Sequence, residues 1–266
     1  MSRNSQYTAI SPPFVVAHRG ASAYLPGNTL AAFQLAVEQQ ADFIELDVHM
    51  SRDNHVVICH SWHLSVEGQH VPLAHLTLAE IRSYASLNKV DRATPEITIP
   101  TFEEFVDWLH TNDKGIIIDV KNCPVQYPHV TEYVLDALKT HDLVERAYIV
   151  SFDHNVVVGL KDMVPNIRTG ILYIAKLANL RETIRFINVD WVETPTDYLT
   201  QNVVDIVHQE GARVCSWSTN NAEEIEKLCY LGVDMITTDY PDIARQRIDN
   251  YYIQQTSSAG RKSSKM

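Results

Sequence analysis

The chain has 266 residues, of which 45% are apolar, with a formal net charge of −11 and four cysteines. An acidic surface argues against nucleic acid and anionic lipid as partners, because binding to either depends on Lys and Arg side chains that neutralise phosphates. The cysteines Cys59, Cys123, Cys215 and Cys229 form no C-x-x-C pair. We therefore expect reduced thiols rather than disulfides or a zinc-thiolate site.

The ends of the chain and its hydropathy suggest a location. The first 13 residues are polar without an apolar segment of the secretory type, and no apolar run approaches the roughly 20 residues of a membrane span. We therefore expect a cytoplasmic protein without stable membrane association. Residues 254–266 are rich in Ser, Gly and Lys with little to bury, so a disordered tail is predicted there.

Short Val- and Ile-rich runs alternate along the chain with longer amphipathic stretches. The predicted strands are Phe14–His18, Phe43–Val48, Gly115–Val120, Ala147–Phe152, Arg168–Tyr173, Ile187–Val192, Arg213–Trp217 and Met235–Thr238. The predicted helices are Thr29–Gln40, Glu103–His110, Val130–Lys139, Asp197–Glu210 and Ala222–Leu231, with a weaker helical pattern near Leu180. Eight strands alternating with helices favour a (β/α)₈ barrel of the TIM type, and the alternative is a doubly wound open sheet.

The stretch between Val48 and Gly115 is much longer than one helix requires. It contains a β-like run at Val56–His60, a helical piece at Leu78–Tyr84 and a segment with prolines at Thr94–Pro100. We interpret residues of about 50–100 as an insertion at the barrel rim, between strands two and three. Residues 1–253 are then a single domain.

Acidic residues in two predicted strands indicate a metal site. Glu45 and Asp47 are two residues apart in an extended run, so both side chains point to the same face of the sheet. Asp119 ends the third strand, and carboxyl ends of parallel strands meet at one edge of a barrel. Three carboxylates suit a hard cation such as Mg²⁺ or Ca²⁺. The alternative is a core ion pair of these carboxylates with Arg19 or Lys121.

Two histidines at strand ends are candidates for proton transfer. His18 ends the first strand and is followed by Arg19-Gly20, while His60 ends the inserted β-like run. Imidazole titrates near neutral pH, which suits a general acid or base. Arg19 and Lys121 offer charges to a phosphate. Gly20 is interpreted as room for a ligand to approach the backbone.

These residues occur in an ordered set of motifs that resembles the glycerophosphodiester phosphodiesterase family. The resemblance extends from about Phe14 to Asp242. Its motifs are His18-Arg19-Gly20, Pro26-Gly27-Asn28-Thr29, Ile44–Val48, Val56–His60, Ile99-Pro100-Thr101, Asp119-Val120-Lys121, Ser151-Phe152, Trp217 with Asn220, and Gly232–Asp242.

The resemblance implies a (β/α)₈ barrel that hydrolyses glycerophosphodiesters to sn-glycerol 3-phosphate and an alcohol. It implies one divalent cation, Mg²⁺ or Ca²⁺, at Glu45, Asp47 and Asp119, an acid/base pair at His18 and His60, and phosphate contacts from Arg19 and Lys121. Trp217 either walls the substrate glycerol or fills the barrel mouth. The family usually has Glu at the positions of Gly27 and Asp119, and the change at Gly27 puts activity in question.

Three hypotheses follow for the function. The first is a phosphodiesterase for small glycerophosphodiesters. The second is a lysophospholipase D-like enzyme with an apolar groove built from residues such as Trp62, Leu64, Tyr84 and Trp217. The third is a barrel that binds phosphodiesters without turnover, which only Gly27 supports.

Overall fold

The computed structural model describes residues 11–87 and 98–263. Its central feature is a closed barrel of eight parallel strands, because the first strand pairs with both the second and the last. In chain order these strands are β1 (Phe14–Ala17), β2 (Phe43–Met50), β6 (Gly115–Val120), β7 (Ala147–Ser151), β8 (Arg168–Leu172), β9 (Trp191–Pro195), β10 (Arg213–Trp217) and β11 (Met235–Thr238). The predicted (β/α)₈ barrel is confirmed.

Helices follow the strands and cover the outside of the barrel. They are α1 (Leu30–Glu38), α3 (Phe102–Leu109), α4 (Val130–Thr140), α5 (His154–Met163), α6 (Leu180–Ile187), α7 (Gln201–Gln209), α8 (Ala222–Leu231) and α9 (Pro241–Ser263). Short 3₁₀ turns cover Leu73–His75, Val144–Arg146 and Thr196–Tyr198. Several helices begin at a capping side chain. For example, Thr101 and Glu104 form a reciprocal capping box that satisfies two backbone N–H groups of α3.

Alternation of side chains along each strand divides the core into two layers. Ile44, Leu46 and Val48 on β2 pack outward against helices. The inward layer contains Tyr148 and Trp191, whose rings stack with centroids 4.1 Å apart inside the barrel. Glu45 and Asp47 alternate with the outward residues of β2, so they point into the barrel. The barrel interior is therefore apolar toward the amino ends of the strands and acidic toward their carboxyl ends.

The predicted insertion between the second and third barrel strands is also present. It contains β3 (Val56–Ile58), which pairs antiparallel with β2, a hairpin of β4 (His63–Val66) and β5 (Gln69–Pro72), and α2 (Leu78–Leu87). Residues 94–97 of the predicted proline-containing segment lie outside the described residues. The insertion has a small core of its own, made of Val57, Leu73, Leu76 and Ile81. β3 directs the chain back over the barrel mouth, which places His60 there.

One predicted strand is displaced. The apolar run Ile187–Val192 is split between the end of α6, a left-handed turn at Asn188 and the start of β9. Ile187 and Val189 are buried on both sides of that turn, so the apolar pattern continues where the secondary structure changes. The observed strand, Trp191–Pro195, begins four residues later than predicted.

The remaining expectations concern the end of the chain and membranes. α9 includes residues 254–263 of the predicted tail. The disorder of this tail and the assignment of residues 1–253 to a single domain stay predictions. Among the described residues, no helix has the length and apolarity to cross a membrane.

Candidate active site

A cavity of about 260 Å³ opens at the carboxyl ends of the barrel strands. All eight residues selected from the sequence lie on its wall: His18, Arg19, Glu45, Asp47, His60, Asp119, Lys121 and Trp217. Five further residues complete the lining, and the sequence did not single them out as site residues: Phe152, Leu172, Ile174, Glu193 and Thr237. The structure thus brings the predicted residues together around one cavity.

The turn after β1 positions His18 and Arg19. Arg19 and Gly20 both have positive φ angles, of 56° and 81°. A Cβ atom on Gly20 would lie 2.6 Å from the backbone carbon of Ala32 in α1. The interpretation of Gly20 as room for a ligand is therefore wrong, since the glycine lets this turn pack against α1. The Arg19 backbone N–H donates to Glu45 Oε2 at 2.9 Å, which fixes the turn to β2.

Asp47 is the centre of a charged network. Lys121 Nζ lies 2.9 Å from Asp47 Oδ1, and Arg19 Nε lies 3.1 Å from Asp47 Oδ2. The Asn28 amide donates to Asp47 Oδ2 at 2.8 Å. Although burial opposes it, the two cations hold the pKa of Asp47 at about 2. Asp47 is consequently an anion at neutral pH, and the ion pairs that the sequence left as an alternative are present.

The other two carboxylates behave differently. Burial, helped by the charge of Asp47, raises the pKa of Glu45 to about 7. Burial also raises the pKa of Asp119 to about 6, despite the ammonium of Lys121 with which Asp119 forms an ion pair. Within the described part of the chain, Asp119 Oδ1 has no hydrogen-bond partner. Too little positive charge lies near Glu45 and Asp119 to stabilise both of them as anions.

This deficit fits a divalent cation. Oxygen atoms of Glu45, Asp47 and Asp119 lie within 4.8 Å of one another, and all three residues are buried. Carboxylate oxygens are the ligands that hard cations prefer, and a cation would lower the cost of holding three carboxylates together. The buried acidic cluster can therefore bind a metal ion.

The two histidines face the cavity from different surroundings. His18 Nδ1 lies 2.6 Å from Asp239 Oδ1, and Ser22 and Asn220 also donate to the carboxylate of Asp239. Burial lowers the pKa of His18, but the hydrogen bond to Asp239 and the negative charges of Glu45 and Asp239 together raise that pKa above its ordinary value. His60 is exposed at the mouth, and its pKa is lowered by desolvation and by nearby Arg19 and Lys121. The pKa of His18 is thus above the ordinary value of an imidazole, and the pKa of His60 is below it.

The far wall of the cavity is apolar at its rim. Phe152 is 43% exposed and Ile174 is 59% exposed. The Trp217 ring meets the Phe152 ring edge-on, with centroids 5.9 Å apart. Leu64 and Tyr84, which the lysophospholipid hypothesis placed in a groove with Trp217, instead pack against the small core of the insertion. An apolar rim exists, but Leu64 and Tyr84 do not build it.

Gly27 lies beside Arg19 and lines an adjoining cavity, which shares His18, Arg19 and His60 with the first. A Cβ atom at position 27 would meet Arg19 Cβ at 3.0 Å and Ser22 Cβ at 3.2 Å. Any side chain at this position therefore requires Arg19 to shift by a few tenths of an ångström. The absence of the family Glu leaves Arg19 close to Asp47.

Comparison with known sequences identifies the family. A sequence model described as "Glycerophosphoryl diester phosphodiesterase family" matches residues 18–243. The chain belongs to this family. It is thereby an enzyme of the glycerophosphodiester phosphodiesterase class, as the sequence motifs predicted.

Two relatives and two solved structures illustrate the similarity. A glycerophosphodiester phosphodiesterase of Caldanaerobacter subterraneus subsp. tengcongensis is 30% identical over 86% of this chain and 94% of its own length. One from Bacillus subtilis is 30% identical over 91% and 89%. The fold matches a Silicibacter pomeroyi structure described as a glycerophosphoryl diester phosphodiesterase with a TM-score of 0.81, 23% identity and 90% and 94% coverage. An Oleispira antarctica phosphodiesterase in complex with sn-glycerol-3-phosphate gives a TM-score of 0.76, 26% identity and 89% and 97% coverage.

Proposed function

We propose that this chain hydrolyses glycerophosphodiesters of small polar alcohols to sn-glycerol 3-phosphate and the free alcohol, using one divalent cation and two histidines. The observation that carries the proposal is the grouping of His18, His60 and a buried carboxylate cluster around one cavity. The product bound to the Oleispira antarctica relative supports sn-glycerol 3-phosphate as the product here.

Glu45, Asp47 and Asp119 would hold the cation, which is Mg²⁺ or Ca²⁺. When bound, this ion supplies Lewis-acid stabilisation of the negative charge on the phosphoryl oxygens. Arg19 and Lys121 bind the phosphate from the same side. Arg19 Nε faces Asp47, but the Arg19 side chain is partly exposed and lines the cavity, so the rest of its guanidinium has donors to offer a phosphoryl oxygen.

The surroundings of the two histidines support different roles for them. Asp239 favours the protonated form of His18 and leaves Nε2 directed away from the pair, so in this proposal His18 protonates the leaving alkoxide. His60 is neutral at pH 7 and takes the proton of the nucleophile. That nucleophile is water or the neighbouring hydroxyl of the substrate glycerol. The hydroxyl would form a cyclic phosphate that water then opens.

The test is release of sn-glycerol 3-phosphate from glycerophosphocholine by the wild type and by His18→Ala and His60→Ala. Each substitution should lower kcat by about 10³-fold, the range of general acid–base catalysis. His55→Ala is the matched control, because His55 is exposed in the same insertion and does not line the cavity. Binding of glycerophosphocholine without turnover by the wild type would sink the proposal and favour a binding barrel.

The exposed Phe152 and Ile174 favour one second candidate, a lysophospholipase D-like activity. Lysophosphatidylcholine is the substrate that tests it. We expect glycerophosphocholine to be the better substrate by kcat/KM, and the opposite order would replace the first proposal with the second. The predicted cytoplasmic location is consistent with small water-soluble substrates, and cell fractionation tests it.

A further inference from the structure

Glu193 is a buried carboxyl group on the cavity wall that the proposed reaction does not use. It lies on β9, where Trp191 points into the barrel and Val192 packs outward against helices. Glu193 therefore also points inward, two residues closer than Trp191 to the carboxyl end of the strand. It is 4% exposed, and it lines the same cavity as the histidines and the carboxylate cluster.

The layers of the barrel interior give the depth of Glu193. Phe43, Tyr148 and Trp191 form an aromatic layer, with successive ring centroids 5.7 and 4.1 Å apart. Two residues further along β2 and β9 stand Glu45 and Glu193, which lie at the floor of the cavity. Glu193 lies across the barrel from Glu45, below the strand ends that carry the groups assigned to the phosphate.

The carboxyl group of Glu193 is incompletely satisfied. The Cys215 thiol, its neighbour in register on β10, hydrogen-bonds to it. Within the described residues, Glu193 Oε1 has no hydrogen-bond partner. A buried polar oxygen without a partner is destabilising, so its retention on a cavity floor indicates a ligand that completes it.

Glu193 lies outside the group of oxygens that forms the candidate cation site, although burial and then the nearby charges of Glu45 and Asp119 raise its pKa to about 8. The oxygens that approach one another within 4.8 Å belong to Glu45, Asp47 and Asp119, and Glu193 is not in that group among the described residues. The basic groups Arg19 and Lys121 are engaged with Asp47. The partner that Glu193 lacks is therefore a neutral group that enters the cavity.

We propose that Glu193 recognises the terminal hydroxyl of the substrate glycerol and so selects glycerol over simpler alcohols in the phosphate ester. This inference rests on the proposed function. The phosphate is bound at the strand ends, and the carbon chain that extends below it reaches the floor with its far end. A carboxyl group pairs with a hydroxyl in either protonation state, by accepting or by donating a hydrogen bond.

The experiment compares glycerophosphocholine with 2-hydroxypropyl phosphocholine, an analogue that lacks only the terminal hydroxyl. The wild type should prefer the full substrate by about 30-fold in kcat/KM, as a site built to bind a hydroxyl does. Glu193→Met should reduce this preference to less than about threefold by losing activity on the full substrate alone. Glu193→Gln keeps a hydrogen-bonding oxygen and should retain most of the preference.

Thr194→Val is the matched control, because Thr194 is buried on the same strand but faces outward. It should discriminate like the wild type. An equal loss on both substrates in Glu193→Met would overturn the proposal, since it indicates a structural role. A weakened Mg²⁺ affinity of that variant in calorimetry would also overturn it, by assigning Glu193 to the cation.

Binding measurements separate this inference from the proposed reaction. Absence of turnover of both substrates by the wild type would be a failure of the proposed function. Calorimetry with sn-glycerol 3-phosphate and 1,2-propanediol 1-phosphate then decides the role of Glu193. A preference for the first ligand that Glu193→Met abolishes supports the inference, and equal affinities of the wild type for both ligands overturn it.

Discussion

The two halves of the barrel contribute different groups to one cavity. The first half, from β1 to β6 with the insertion, supplies two histidines, two basic residues and the carboxylate cluster. The second half, from β7 to β11, supplies Phe152, Leu172, Ile174, Trp217, Thr237 and a single carboxyl group, Glu193, to the cavity wall. In the proposed function, the first half carries the chemistry and the second half shapes the cavity and selects the substrate.

Ion pairs join the residues of the charged half, whereas the second half has a ring contact between Phe152 and Trp217 and a thiol contact between Cys215 and Glu193. Asp47 contacts Arg19, Lys121 and Asn28 at once. Removal of one member should therefore disturb several others, and effects in this half should be large and non-additive. In the proposed function, residues of the apolar half meet separate parts of the substrate, so their effects should be smaller and specific to one part of it.

The largest effect is expected for Asp47→Asn. The variant keeps the shape of the side chain but removes the charge that holds Arg19 and Lys121, and it weakens the cation site. We expect kcat/KM to fall by at least about 10³-fold, with a lower affinity for Mg²⁺ in calorimetry. Asp162→Asn, an exposed change on α5, should leave both quantities unchanged. A loss of less than tenfold would contradict the central place of Asp47.

A smaller effect with a distinct pH signature is expected for Asp239→Asn. Asp239 raises the pKa of His18, which must be protonated to act as the acid, so activity falls as pH rises through that pKa. Removing the carboxylate lowers the pKa of His18 and moves the alkaline limb of the kcat profile to lower pH. At pH 8 we expect about a tenfold loss. The acid limb, which follows His60, should stay in place.

The exposed Asp242 provides the control for this profile, since Asp242→Asn changes a carboxylate three residues away that contacts Tyr24. Its pH profile should match the wild type. An alkaline limb of Asp239→Asn that stays at the wild-type pH would remove His18 from the role of acid.

In the apolar half, we propose that the Trp217 ring on the cavity wall contacts the substrate in both ground and transition states. Trp217→Leu should then raise KM by about tenfold with little change in kcat. Trp217→Phe keeps an aromatic surface and should raise KM by about threefold. Steady-state kinetics on glycerophosphocholine measure both. If kcat falls instead and KM is unchanged, Trp217 belongs with the catalytic half and the division between the halves is wrong.

The smallest effect is expected for Gly27→Ala. The new Cβ displaces Arg19 by a few tenths of an ångström, so the phosphate is bound less well and KM rises by about threefold. Gly159→Ala is the control, since a Cβ on Gly159 in α5 meets no atom within 4 Å. A lower KM for Gly27→Ala would show that Arg19 is held in an unproductive position in the present chain.

The sequence predicted the charged half better than the apolar half, for a physical reason. Glu45 and Asp47 follow the alternation of one strand, and His18 and Lys121 come directly after strands, so local patterns are sufficient to place them. Asp239 is 221 residues from His18, and the contact exists only because β11 pairs with β1. The Gly232–Asp242 motif contained Asp239, but no local signal connects it with His18.

Glu193 and two secondary-structure elements were missed for local reasons. The predicted strand Ile187–Val192 ended before Glu193, because the apolar run crosses the end of α6, so no inward position was assigned to it. Helix α5 contains three consecutive valines, which are weak helix formers. The β4–β5 hairpin did leave a signal, since Glu67-Gly68 forms a two-residue turn with both φ angles positive.

The most direct test of the account is release of sn-glycerol 3-phosphate from glycerophosphocholine before chelation, after chelation, and after addition of Mg²⁺ or Ca²⁺. The carboxylate cluster predicts that chelation abolishes turnover and that one of the two ions restores it. Turnover that persists undiminished after complete removal of divalent cations would contradict the account, because Glu45, Asp47 and Asp119 would then have no cation to hold.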